Sequence, residues 1–163
     1  MTQIKSSDYR GPLLKWWQRL SAWPGGAGLF SLALSLIAPY SGTIGARVEE
    51  IRPGYARLTM GDRRRVRNHL KSIHAIALVN LGEIATGLAL LSNFSADMRG
   101  ILVGIEAEYV KKARGKLTAV AEFQIPRELE DNSPCEVEAF LQDQSGETVT
   151  RVRATWLVGY KTS

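Results

Sequence analysis

Residues 72–96 read SIHAIALVNLGEIATGLALLSNFSA, twenty-five positions with a single charged side chain, Glu83. Residues 75–91 are rich in Ala and Leu and apolar on nearly every helical face, the pattern of a helix buried by the rest of its domain. A lone ionised carboxylate inside such a helix costs several kcal/mol, or it takes up a proton as its pKa rises. Either outcome makes Glu83 a candidate acid or base. The plain structural alternative is a buried ion pair with an arginine.

Moving outward, Asn80 and Thr86 lie at i−3 and i+3 from Glu83 and extend it into a polar strip that can orient the carboxylate, a water or a substrate. Just before the helix stands a basic run, Arg63-Arg64-Arg65-Val66-Arg67, followed by Asn68-His69-Leu70-Lys71. This run brings positive charge to a helix N-terminus that is itself electropositive. It reads as a solvated loop, as a phosphate-binding element, or as a nucleic-acid contact. In the phosphate reading, Arg65 and Arg67 act with Lys111, Lys112 and Arg114 at a strand end. No aromatic residues are interleaved for base stacking, so no nucleic-acid partner is expected. The phosphate reading is preferred to the solvated loop because the run directly precedes the candidate site.

On either side of this centre the pattern has period two. Residues 43–51 and 55–60 read as strands joined by the turn Arg52-Pro53-Gly54. Beyond the helix, residues 101–112, 116–125, 136–143 and 148–160 are four further strand candidates. In the first, Val103, Ile105, Ala107 and Tyr109 alternate with Gly104, Glu106 and Glu108, setting one face inward and one outward. Ala113-Arg114-Gly115 and Gln144-Ser145-Gly146 read as hairpin turns. Two strands, one long helix and four strands predict α+β architecture, an antiparallel sheet curled around one helix. Exposed sheet edges and a half-covered face call for pairing with another chain, so a homodimer is expected.

Residues 1–40 read as an N-terminal helical extension, and 41–163 as the domain proper. After Pro12, residues Leu13, Leu14, Trp16, Trp17 and Leu20 predict a short amphipathic helix, broken by Trp23-Pro24-Gly25-Gly26. A second helix is expected over 27–37, ending at Pro39. The plain reading is that these helices cover part of the sheet. The sharper one, prompted by three tryptophans near basic residues, is a substrate gate or a membrane-surface contact.

At 163 residues and 45% hydrophobic content the chain suits one core, and its formal charge of +5 favours anionic partners. Cys135 is the only cysteine and there are two histidines, which leaves too few ligands for a Cys/His zinc site and no intrachain disulfide. No metal and no cofactor are expected. A reducing, cytoplasmic setting is the expectation, with no signal-peptide layout and no run long enough to span a bilayer.

The residues resemble the hot-dog-fold thioesterases over roughly positions 40–160, most closely the small phenylacetate-pathway type and related uncharacterised bacterial domains. The family's signature is an Asn in the loop, a His-Gly-Gly-like helix start and an acidic residue further along the helix. Asn68, His74-Ala75-Ile76 and Glu83 occupy those places, six and nine residues apart, with Ala75 and Ile76 where the motif has glycines. The resemblance implies an acyl-thioester hydrolase acting on an acyl-CoA or acyl-carrier substrate. It further implies a dimer or dimer of dimers, with the site between two protomers and Ala75 close to the substrate carbonyl. The related reading is a non-catalytic acyl-thioester or fatty-acid binding protein of the same fold. Hot-dog dehydratases also pair a histidine with a carboxylate, but in longer Gly- and Pro-containing motifs that residues 72–75 lack.

Thioester hydrolysis needs an activated water and donors for the oxyanion. Glu83 supplies the base or nucleophile. His74 supplies a backbone N–H at the helix start, or else its ring caps the helix. Asn68 donates its amide to the thioester or holds the loop. Nine helical residues span about 13.5 Å, so Glu83 and the His74 backbone of one chain cannot reach one carbonyl carbon together. A dimer with its two helices side by side brings them together.

Overall fold

The computed structural model describes residues 11–126 and 129–161. At its centre the apolar run forms the 17-residue helix α4 (Ala75–Leu91). Among the described residues three α-helices precede it, α1 (Pro12–Ser21), α2 (Gly26–Ile37) and the single turn α3 (Pro39–Gly42). The strands are β1 (Arg47–Arg52), β2 (Tyr55–Met60), β3 (Met98–Tyr109), β4 (Leu117–Glu122), β5 (Ser133–Gln142) and β6 (Thr148–Tyr160). They form one antiparallel sheet in the order β1-β2-β4-β5-β6-β3, and α4 packs against all six. This is the expected α+β hot-dog architecture, a sheet wrapped on one long helix with extra N-terminal helices.

Alternation explains the wrapping. Cys135, Val137, Ala139 and Leu141 of β5 point inward and Glu136 and Glu138 outward, and Val152, Ala154, Trp156 and Val158 repeat the pattern on β6. Ala139, Leu141 and Val152 share a core with Leu78, Leu81, Ala85 and Ala89 of α4, while Cys135, Val137, Ala154, Trp156 and Val158 cluster with Leu90, all buried. Small residues on that helix face let the sheet approach closely. At Gly82 an added Cβ would sit 2.5 Å from Val152 Cγ2, so no larger residue fits there without displacement. Outside, Arg153 donates to Glu138 and Arg151 to Glu108, each at 2.8 Å, in exposed cross-strand pairs.

The N-terminal helices close the β1 end of the sheet. Leu14 and Trp17 of α1 are buried, and the Trp17 ring meets Phe30 of α2 edge-on, 5.1 Å between centroids. The Ser31 hydroxyl accepts the Val48 N–H at 2.9 Å, fixing α2 to β1. Among the described residues no helix is long and apolar enough to cross a membrane.

Three local expectations are corrected. β1 begins at Arg47 rather than near 43, because Thr43 caps α3 and Gly45, at φ +61°, turns the chain first. Ala113-Arg114-Gly115 is a crossover and not a hairpin turn: β3 pairs with β6 at one edge, while β4 lies between β2 and β5. On β3, a bulge between Leu102 and Gly104 shifts the alternation. Ile105 lies opposite buried Ala154, yet it stays 37% exposed and Tyr109 49%, since among the described residues no strand lies beyond this edge.

Candidate active site

Glu83, Ile84, Gly87, Leu88 and Leu91 form one helical stripe of α4 beside α2. Over it lie the inner face of α2 (Ser31, Leu34, Ser35) and the segment through α3, including Ala38, Ser41 and Gly42. Between them is a pocket of about 160 Å³, floored by Val48, Leu58 and Trp156. That volume is close to the roughly 150 Å³ of an apolar cavity that takes up benzene. Gly87 shapes the wall, since a Cβ there would stand 3.2 Å from the Trp156 ring.

Among the described residues, Glu83 is the only ionisable side chain lining this pocket. It is half-buried, and among the described residues no hydrogen bond or ion pair reaches its carboxylate. The arginine partner of the plain reading is therefore not seen there. Loss of water around it pushes the Glu83 carboxyl above the ordinary glutamate range.

The rest of the expected polar strip has other partners. Thr86 is fully buried and its hydroxyl donates to the Glu83 backbone carbonyl at 2.9 Å. Asn80 is buried and its amide donates to the Tyr40 carbonyl at 3.4 Å, tying α4 to α3. Neither bond orients the Glu83 carboxylate.

At the helix start the ring of His74 is the N-cap: Nδ1 accepts the Ile76 N–H at 3.1 Å, and the His74 N–H itself donates to the Val66 carbonyl at 2.7 Å. Of the N–H groups a helix leaves open in its first turn, those of Ala75 and Ala77 remain without a partner among the described residues. The Ala75 carbonyl accepts from the Tyr109 hydroxyl of β3 at 3.4 Å. Asn68 organises the loop, its Oδ1 accepting from Leu70 N (2.9 Å), Ser72 N and Ser72 Oγ (both 3.2 Å).

The basic residues separate into two groups. Arg67 is bound to Asp62 at 2.6 Å, and Asp62 also accepts the Gly115 N–H at 2.9 Å, with Arg114 adding a favourable field. Lys111 is held between Asp143 (2.7 Å) and Glu147. By contrast, the guanidinium groups of Arg63 and Arg65 converge over Gly45, without a carboxylate on either among the described residues. Lys112 is exposed on the crossover. The pocket's α2 wall, Gly87 and Trp156 were not among the residues the sequence nominated. Gly87 stands one helical turn after Glu83, a spacing that was available to find it.

The family model described as Domain of unknown function (DUF4442) matches residues 26–158. The chain belongs to the DUF4442 family. The match includes α2, so the pocket's wall lies inside the family's domain. No curated protein matches this DUF4442 chain. Among solved structures, it is similar to genomics target APC5556, with 31% identity over 91% of this chain and 99% of that one, at a TM-score of 0.79. It is also similar to PA5026 of Pseudomonas aeruginosa, a protein of unknown function described as a probable thioesterase. The identity there is 24%, covering 78% and 91% of the two chains, with a TM-score of 0.70. Thioesterase HI1161 of Haemophilus influenzae shares 18% identity over 78% and 88%, with a TM-score of 0.67. The fold is that of the hot-dog thioesterases.

Proposed function

We propose that this protein hydrolyses an acyl thioester whose hydrophobic acyl group occupies the pocket beneath α2. One observation carries the reading: a desolvated carboxylate, unpaired among the described residues, faces an apolar pocket of acyl size. In the reaction Glu83 takes a proton from water as the water oxygen attacks the thioester carbonyl carbon. The tetrahedral intermediate then collapses, the C–S bond breaks, and the proton on Glu83 passes to the leaving thiolate. The products are a carboxylic acid and a thiol.

Oxyanion donors come from the helix start of a second protomer, since about 13.5 Å separates the two ends of the motif along one helix. The open β3 edge, twelve residues long with Ile101, Val103 and Ile105 exposed, is the surface on which two copies pair. With the N–H groups of His74 and Ile76 already bonded, those of Ala75 and Ala77 take the oxyanion role, and Asn68 supports the loop that presents them. An acyl-CoA or acyl-carrier substrate places its phosphates against Arg63 and Arg65, while Arg67 and Lys111 are neutralised by carboxylates.

The test is hydrolysis of a panel of acyl-CoAs, followed with a free-thiol reagent, by the native chain and by Glu83→Gln. Loss of about 10²–10⁴ in rate is expected for the variant; equal rates in a folded variant would remove Glu83 from the mechanism. The bond from Ile76 N–H to the His74 ring favours a second reading, in which the site binds an acyl thioester or fatty acid without turnover. Tight binding of the same panel with no thiol released would select it.

A further inference from the structure

Helix α2 is apolar all round, GAGLFSLALSLI, without one charged residue. Its inner face is accounted for: Phe30 and Ser31 are buried, and Leu34 and Ser35 line the pocket. Its outer face has no partner among the described residues. Leu29, Leu32 and Leu36 form a stripe at i, i+3 and i+7, all more than half exposed, and Ile37 continues it at 71%. Trp23 and Tyr40 flank the helix at its two ends, 75% and 69% exposed. A helix apolar on every side is normally covered on every side, and a contiguous exposed apolar patch marks an interaction surface.

Charge narrows the choice of occupant. Residues 9–48 contain Arg10, Lys15, Arg19 and Arg47 and not one Asp or Glu. Lys15 and Arg19 lie exposed on α1, which packs against α2. An apolar stripe bounded by Trp and Tyr, in a purely basic segment, has the composition of a helix lying in the interface of an anionic bilayer. At twelve residues α2 is about 18 Å long, too short to span a hydrocarbon core of about 30 Å. A second copy of the chain fits less well. The open β3 edge stands at the opposite end of the strand order from β1, against which α2 packs, so the stripe is not continuous with that edge.

We infer that the outer face of α2, with Trp23 and Tyr40, docks on an anionic membrane surface. The same helix then has lipid on one side and the pocket on the other, one helix diameter from the bilayer. The docking does not depend on the reaction assigned to the pocket.

Vesicle flotation tests it, using the full chain with vesicles of phosphatidylcholine alone or mixed with phosphatidylglycerol. The native protein is expected to float with the mixed vesicles, to float less at high salt, and to show a blue shift in tryptophan emission. The double variant Leu32→Ser, Leu36→Ser alters exposed residues outside the pocket lining. It should lose at least about tenfold in vesicle binding with an unchanged melting temperature. Absence of the native protein from the mixed vesicles would overturn the inference, as would undiminished binding by the double variant. A drop in oligomer mass in the double variant, by light scattering, would overturn it in favour of an interface between copies.

Discussion

The two faces of α4 carry similar small and apolar residues to opposite effect. Toward the sheet, Leu81, Gly82, Ala85 and Ala89 are buried against side chains that leave no room. Toward α2, Glu83, Ile84, Gly87 and Leu91 border a pocket, and a carboxylate is tolerated. Smallness on the first face permits contact between helix and sheet; on the second it keeps a space open. Close packing decides stability, and its local absence decides chemistry.

Substitutions should separate the two faces in order of cost. Leu81→Ala, on a residue with no exposed surface, is expected to cost about 2–5 kcal/mol in urea or thermal unfolding. A cost like that of an exposed site would show that the sheet face is loosely packed. Gly82→Ala should come next, losing about 1–2 kcal/mol, because the clash with Val152 exceeds the gain in helix propensity. Gly87→Ala, the same change five residues on, should leave stability within about 1 kcal/mol, since its Cβ meets the Trp156 ring at a tight but adjustable 3.2 Å. Its effect should appear in ligand choice, as a shift toward shorter acyl groups in the thioester panel. An unchanged chain-length profile would mean that the pocket does not hold the acyl group.

The smallest effect concerns pH. The folded Glu83 pKa lies above its unfolded value, so the ionised group weakens the fold at neutral pH. That penalty declines as pH falls through the raised pKa and is gone below the unfolded value of about 4.3. Glu83→Gln should therefore be the more stable protein at pH 7, with the two melting curves converging near pH 4. A glutamine variant less stable than the native chain at pH 7, with the deficit closing on acidification, would show that Glu83 is paired in the fold.

The elements were largely legible because their signals are local. The composition of residues 75–91 marked α4, and alternation with flanking turns marked the strands. The resemblance carried by Asn68, His74 and Glu83 supplied the fold's name. What was not legible depends on distant partners. The β3–β6 pairing and the seating of α2 over Glu83 follow from contacts between remote segments, which periodicity does not encode. The same holds at single residues. Lys111 looks like a free cation until Asp143 and Glu147 are brought beside it, and nothing local to Asn80 signals its bond to the Tyr40 carbonyl. His74 was open in sequence between backbone donor and ring cap, and its geometry chose the cap.

The position of β3 also bears on how the chain acquires its shape. Met98 pairs with Tyr160 and Tyr109 with Thr150, so among the described residues β3 finds its one neighbour in β6, a strand synthesised after it and after β4 and β5. Until then ILVGI at 101–105 has no ladder to join, and α4 lacks two of the strands that cover it. Vectorial synthesis thus leaves the sheet incomplete until residue 160 has emerged. Over that interval the nascent chain is the species most exposed to aggregation and to chaperone capture.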